Sequence, residues 1–270
     1  TNIDPALRRT AGDAVLLYNL VNGLQALHSS MRQDSRDKSQ YSPPCLALPN
    51  SQALPAPLTA MSDGFVLPRI GSSEDPIRAA VMISGGGSGL AALLRYQATP
   101  RPHYTALVLS EKANAGGLQH GINAGVPSFG IPLPMGVDPN ERRVAHERLI
   151  NAALEEHNIE LVILSGYMRI LTPWFVSRWK GRLVNIHPSL LPEFPGAHAH
   201  RDVLEAGAEV TGCTVHLVDE GVDSGPILAQ MEVEVLEGDD EEALQERVKH
   251  VEHVLYPIAL DRLCSGQISL

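Results

Sequence analysis

From residue 78 onward, short apolar runs bounded by glycine, proline or polar clusters recur along the chain. "AAVMIS" (79–84), "YTALVLS" (104–110) and "ELVILSG" (160–166) show no polar alternation. Each therefore predicts a strand buried on both faces. Between and beside them, "LAALLRYQ" (90–97), "AGGLQHGINAG" (115–125) and "ERRVAHERLINAALEEH" (141–157) read as helices. This alternation argues for an α/β domain: an open, mostly parallel twisted sheet with helices on both faces and right-handed crossovers. "RLVNIH" (182–187) is another strand, and "GCTVHLVDEGVDSGPILAQMEVEV" (212–235) reads as two strands joined by a loop. "GDDEEALQERVK" (238–249) opens a long C-terminal helix, its acids placed where the helix dipole favours them.

Residues 1–77 follow a different pattern and are expected to form an N-terminal extension to a domain spanning 78–270. Leu16, Leu20, Leu24 and Leu27 recur at helical spacing and predict one amphipathic helix. "SPPCLALPNSQALPAPL", with five prolines, then reads as an extended linker. An organellar transit peptide fits less well, since such peptides are poor in acids. Of the 31 acids and 21 bases, 24 acids and 15 bases follow residue 77, so the acidic excess belongs to the α/β part.

That charge, −10 overall, argues against nucleic acid or an anionic membrane as a main partner, while a phosphorylated small molecule is still compatible. Cys45, Cys213 and Cys264 lie far apart with no C-x-x-C pair, which fits a reducing compartment. No apolar stretch reaches bilayer-spanning length and the start lacks signal-peptide form, so a cytoplasmic location is expected.

Candidate chemistry clusters where strands are expected to end. "SGGGSGL" (84–90) follows the first strand and opens a helix, a place where backbone N–H groups can hold an anion. It lacks the Lys-Ser/Thr of a Walker A loop, and Leu90 stands where a dinucleotide fingerprint needs glycine. In "VNIHPSLLPEFPGAHAH" (184–200), Asn185 and His187 share one face of a strand that Pro188 then interrupts. The loop bearing Asp219, Glu220 and Asp223, if it reaches the same cleft, completes an acyl-transfer set. An amide donates to an oxyanion, an imidazole moves protons near neutrality, and a carboxylate favours the charged imidazolium. With no serine or cysteine standing out as nucleophile, direct transfer between two bound substrates is the natural form. The same residues also fit a strand cap and a turn without chemistry. "HAHRD" (198–202) and "HVEH" (250–253) lack the H-E-x-x-H spacing, and no metal is expected there.

Taken together, "ISGGGSG", "SGYMRIL", "NIHPSLLPEFPGAHAH" and "VTGCTVHLVDEGVDSGPILAQ", in this order and spacing, closely resemble the phosphoribosylglycinamide formyltransferase family over about residues 78–263. The resemblance implies a Rossmann-like formyltransferase fold and an enzyme of purine biosynthesis. Such an enzyme passes the formyl group of 10-formyltetrahydrofolate to glycinamide ribonucleotide, as monomer or homodimer and without metal. It implies His187 as general acid, Asn185 polarising the formyl oxygen and Asp223 tuning His187. Gly87, Ser88, Gly89, Ser189 and Glu252 would bind the ribonucleotide. Arg142, Met168, Arg169, Ile170, Leu171 and His216 would border the folate, together with Asp219, Glu220, Gly221 and Val222. Arg143 adjoins Arg142, so either arginine fits the family's folate contact. The family commonly reads Gly-Asn-Gly-Ser-Asn in the phosphate loop. Here Gly86 and Gly89 replace both asparagines and leave phosphate binding to backbone N–H groups.

Three rivals share parts of this pattern. Formyltetrahydrofolate deformylase hands the formyl group to water and normally carries an N-terminal regulatory module, for which a proline-rich extension is a poor substitute. Methionyl-tRNA formyltransferase usually has a basic C-terminal domain, whereas this chain is acidic up to residue 270, so that reading is not expected. A nonenzymatic folate- or nucleotide-sensing module on the same fold has no need of Asn185, His187 and Asp223 together.

Overall fold

The computed structural model of the chain describes residues 64–138 and 141–268. The helix expected around Leu16–Leu27 and the proline-rich linker lie outside the described residues. Seven strands form one sheet: β1 (Ile77–Ile83), β2 (His103–Ser110), β3 (Ser128–Gly130), β4 (Leu161–Leu164), β5 (Leu183–His187), β6 (Val210–Leu217) and β7 (Ile227–Glu234). Their order is β3-β2-β1-β4-β5-β6-β7. The first five are parallel, while β6 runs antiparallel to β5 and β7 to β6. The helices are α1 (Ser88–Tyr96), α2 (Leu118–Asn123), α3 (Arg142–Glu156), α4 (Pro173–Arg178), α5 (Ala199–Glu205) and α6 (Glu241–Cys264). The elements expected between residues 79 and 249 are all present. The sequence pattern missed β3, too short to show a run, and the two short helices α4 and α5.

Strict alternation along β1 explains why its sequence is apolar throughout. Ile77, Ala79, Val81 and Ile83 face one core with Leu90 and Leu93 of α1, Val203 of α5 and Val248, Leu255 and Leu260 of α6. Ala80 and Met82 face the other, with Ile150 and Leu154 of α3 and Phe175 of α4. Burying each large aliphatic side chain contributes about 1.5–3 kcal/mol, so neither layer can be stripped from the sheet cheaply. The chain order reverses at β1, which lies between β2 and β4, so loops leaving neighbouring strand ends diverge and open a crevice there.

Residues 64–76, grouped above with the extension on composition, bind to this α/β unit. The Arg69 guanidinium pairs with Asp75 at 2.9 Å and Glu160 at 2.6 Å. Gly71 N–H donates to the Cys264 carbonyl at 2.7 Å, and Phe65 and Leu67 pack on the core. No helix among the described residues is long and apolar enough to cross a membrane.

Helix α6 ties the sheet together at the crevice. Asp240 caps it, accepting from Ala243 N–H at 2.8 Å, and Arg247 clasps Asp239. Its Tyr256 is buried, and its hydroxyl reaches the carbonyls of Leu164 at the end of β4 (2.9 Å) and Val184 in β5 (3.0 Å). Tyr256→Phe leaves these buried oxygens without that donor. It is expected to cost about 1–3 kcal/mol in urea unfolding; a loss below about 0.5 kcal/mol would show that the hydroxyl is not the tie.

Candidate active site

A cleft of about 620 Å³ opens at the crevice. Its floor is the ends of β4 and β5, and loops from three directions wall it.

Asn185 and His187 project from β5 on the face that also carries Leu183, with Ile186 turned the other way. Asn185 sits directly opposite His216 on β6, and its Nδ2 lies 3.2 Å from His216 Nε2. His216 Nδ1 donates to its neighbour's carbonyl, Leu217 O, at 3.0 Å. Nε2 of the neutral ring is then an acceptor, which fixes the Asn185 amide with its N–H₂ toward His216 and one proton to spare. Burial holds the His216 pKa below its usual value, keeping the ring neutral, although the Leu217 carbonyl opposes this.

The loop between β6 and β7 does reach the cleft. Asp223 takes a left-handed backbone (φ 51°), uncommon for a residue with a β-carbon. Its Oδ2 accepts from Gly196 N–H at 2.9 Å and lies 3.4 Å from His187 Nδ1. On the other side of the ring, His187 Nε2 donates to Phe194 O at 2.8 Å. Each ring nitrogen thus faces an oxygen, Phe194 O at hydrogen-bond distance and the Asp223 carboxylate slightly farther off. Asp219 braces the loop, accepting from Gly221 N–H and the Ser224 hydroxyl.

The wall from β4 is pinned at both ends. The Ser84 hydroxyl accepts from Met168 N–H at 2.8 Å and donates to Glu111 at 2.9 Å. Buried Glu147 accepts from Thr172 N–H at 2.7 Å and from the Thr172 hydroxyl. Burial raises the Glu147 pKa while these bonds lower it. Between the two pins Met168 and Ile170 stand 71% and 74% exposed, and Val222 across the cleft is 66% exposed, an apolar rim suited to a flat ring system.

The glycine loop forms the third wall at the start of α1. Gly87 has φ 71°, and a β-carbon there would lie 2.8 Å from Gly117 Cα. A β-carbon at Gly86 would meet nothing within 4 Å, whereas one at Gly89 would come 2.5 Å from Ser165 Oγ. The absence of a side chain at 86 therefore leaves open space, whereas at 89 the Ser165 hydroxyl occupies the space a side chain would take. The Ser88 hydroxyl lies 3.4 Å from His253 Nε2 of α6.

Most residues expected at the site line this cleft: Gly87 to Gly89, Met168 to Leu171, Asn185, His187, His216, Asp219 to Asp223 and Glu252. Two do not. Ser189 is fully buried, its hydroxyl donating to Glu193 O at 2.6 Å, so it shapes the proline-rich turn and does not face a substrate. Arg142 spends its Nε on Pro134 O at 2.9 Å, while neighbouring Arg143 is exposed. Sequence reasoning missed His200, Glu241 and Lys249, all of which line the cleft. His200 stood in the noted "HAH" triplet, but no spacing announced its direction.

Comparison with known proteins agrees with this geometry. A profile described as formyl transferase matches residues 77–260. Phosphoribosylglycinamide formyltransferase of Escherichia coli (strain K12) is 39% identical over 191 residues, 70% of this chain and 88% of that protein. The trifunctional purine biosynthetic protein adenosine-3 of Homo sapiens is 41% identical over 78% of this chain, which spans only 21% of that longer protein. The crystal structure of phosphoribosylglycinamide formyltransferase from Brucella melitensis superposes with a TM-score of 0.65 at 45% identity, over 72% of this chain and 98% of that one. The chain belongs to the formyl transferase family and, within it, to the phosphoribosylglycinamide formyltransferases.

Glu252 provides a measurable signature of the cleft. Burial pushes its carboxyl up to about 7 from an ordinary 4.5, with Lys249 pulling the other way. Between those values the folded chain holds a proton that the unfolded chain releases, so this group's contribution to stability is lost as pH rises through the window. Melting curves of wild type and Glu252→Gln should therefore diverge from about pH 5 to about pH 7, wild type losing ground, and run parallel above. Parallel curves throughout would mean the carboxyl titrates elsewhere.

Proposed function

We propose that the chain transfers the formyl group of 10-formyltetrahydrofolate to the amine of glycinamide ribonucleotide. The observation that carries this reading is the convergence of Asn185, His187 and Asp223 between two unlike walls, one apolar-rimmed and one glycine-rich with α6 behind it. In this assignment Met168 to Leu171 and Asp219 to Val222 border the folate, with Arg143, rather than Arg142, free to meet its acidic tail. Gly87, Ser88 and Gly89 hold the phosphate through backbone N–H groups, and Glu252 faces the ribonucleotide.

The neutral amine attacks the formyl carbon, forming a C–N bond while the carbonyl π electrons move onto oxygen. The spare Asn185 N–H and the Nδ1–H of His187, whose 3.4 Å separation from Asp223 leaves it shared with the substrate, stabilise that oxygen; donors so placed are each worth about 10²–10³ in rate. As the carbon–nitrogen bond to the folate breaks, the amine's surplus proton passes to the departing folate nitrogen. Asp223 keeps the ring aimed, while Phe194 O fixes the opposite ring nitrogen. Holding both substrates in one crevice removes much of the entropic barrier. The catalytic unit is taken to start near residue 64, since Arg69 and Gly71 are bound to it, and the segment before it is given no part in the reaction.

His187→Ala and Asp223→Asn are each expected to lower turnover by about 10²–10⁴, with folding intact. The assay follows tetrahydrofolate and formate, with and without glycinamide ribonucleotide. Near-wild-type turnover in either variant would remove its assigned role, and formate release without ribonucleotide would make the chain a hydrolase instead.

A further inference from the structure

His200, the second histidine of the "HAH" triplet, has no part in the scheme above. It sits in the first turn of α5, is 9% exposed and lines the cleft. Its Nδ1 is buried without a hydrogen-bond partner among the described residues. A buried imidazole left unsatisfied is unfavourable, and an apolar residue would serve packing better. Such an orphan at the edge of a substrate cleft is explained when a bound molecule supplies what the protein does not.

Its position says which molecule. The helix carrying it packs against α6, which packs against α1, and all three share the core face opposite the one from which Asn185 and His187 project. Charges from Glu241 and Lys249 of α6 and from His187 act on the ring. His200 therefore belongs to the wall that holds the glycine loop, between the reaction centre and α6, and not to the apolar rim formed by Met168, Ile170 and Val222. Burial lowers its pKa, so the ring is neutral, with one donor and one acceptor.

We infer that His200 is a specificity residue for the acceptor, hydrogen-bonding the polar hydroxyl- or amide-bearing part of the ribonucleotide and making no contact with the formyl-folate. This rests on the acceptor reading given above. A site that must complete its own buried polar group selects an acceptor able to do so.

The test is steady-state kinetics of His200→Phe and His200→Asn in the full chain, varying each substrate in turn, with melting temperatures alongside. His200→Phe should raise KM for glycinamide ribonucleotide by about five- to a hundredfold. KM for 10-formyltetrahydrofolate should hold to within about twofold, and the melting temperature should be unchanged or higher, because an orphan is removed. His200→Asn, which keeps a donor and an acceptor, should recover part of the loss. An unchanged KM for the ribonucleotide in both variants, or an equal rise for both substrates, would overturn the inference. Should His200→Phe fail to fold, the inference falls too, since the ring would then be structural. If wild type itself does not formylate glycinamide ribonucleotide, the functional reading fails and this inference with it. Transfer by wild type together with an unaffected variant sinks the inference alone.

Discussion

The 3.4 Å approach of the Asp223 carboxylate to His187 is the constraint around which the molecule is arranged. The two residues come from different kinds of connection: one from the end of a parallel strand, the other from a hairpin loop in the antiparallel extension. A purely parallel sheet ends every strand in a crossover helix and has no short loop to fold back over a neighbouring strand. The switch to antiparallel pairing at β6 provides one, and the left-handed backbone at Asp223 turns its side chain inward. That conformation costs about 1 kcal/mol or more, offset by the charge-assisted hydrogen bond from Gly196.

The supporting polar groups follow from that arrangement. His216 is kept neutral so that Asn185 must turn its N–H₂ the right way, and Phe194 O is presented so that His187 has no freedom to flip. The proline-rich turn after β5 does both jobs at once: it delivers Phe194 O to one side of the ring and Gly196 N–H to the carboxylate on the other. Ser189, buried beneath that turn, contributes by holding its shape. This explains why a strand end bearing chemistry is followed by residues that resist regular structure.

Much of this was legible in the chain because it depends on local rules. Apolar runs without alternation announced strands covered on both faces, and Asn185 and His187 two apart on such a run had to share a face. Gly-rich and Asp-Ser-Gly-Pro turns marked where loops fall. What depends on distance could not be read. Nothing local distinguishes Ser189, whose hydroxyl is spent on a turn, from Ser88, which lines the cleft. Nor does spacing tell that Arg142 is tied to Pro134 O while Arg143 is exposed. β3 escaped notice because three residues carry no periodicity, and it exists only because β2 offers it a pairing edge. The inward faces of α5 and α6 were equally hidden, since Glu241 at a helix start is sufficiently explained by the dipole alone.

The contact between Gly87 and Gly117 carries an implication for how this loop diversifies. A β-carbon at either residue would come within 3 Å of the other's Cα, 2.8 Å from one side and 2.9 Å from the other. Neither can accept a side chain unless its counterpart shifts backbone, so drift at both is frozen as a pair. Gly86, one residue away and facing vacant space, has no such tether. Side-chain variation in the loop is thereby channelled to positions 85 and 86, where a β-carbon meets nothing within 4 Å, leaving the paired glycine contact untouched.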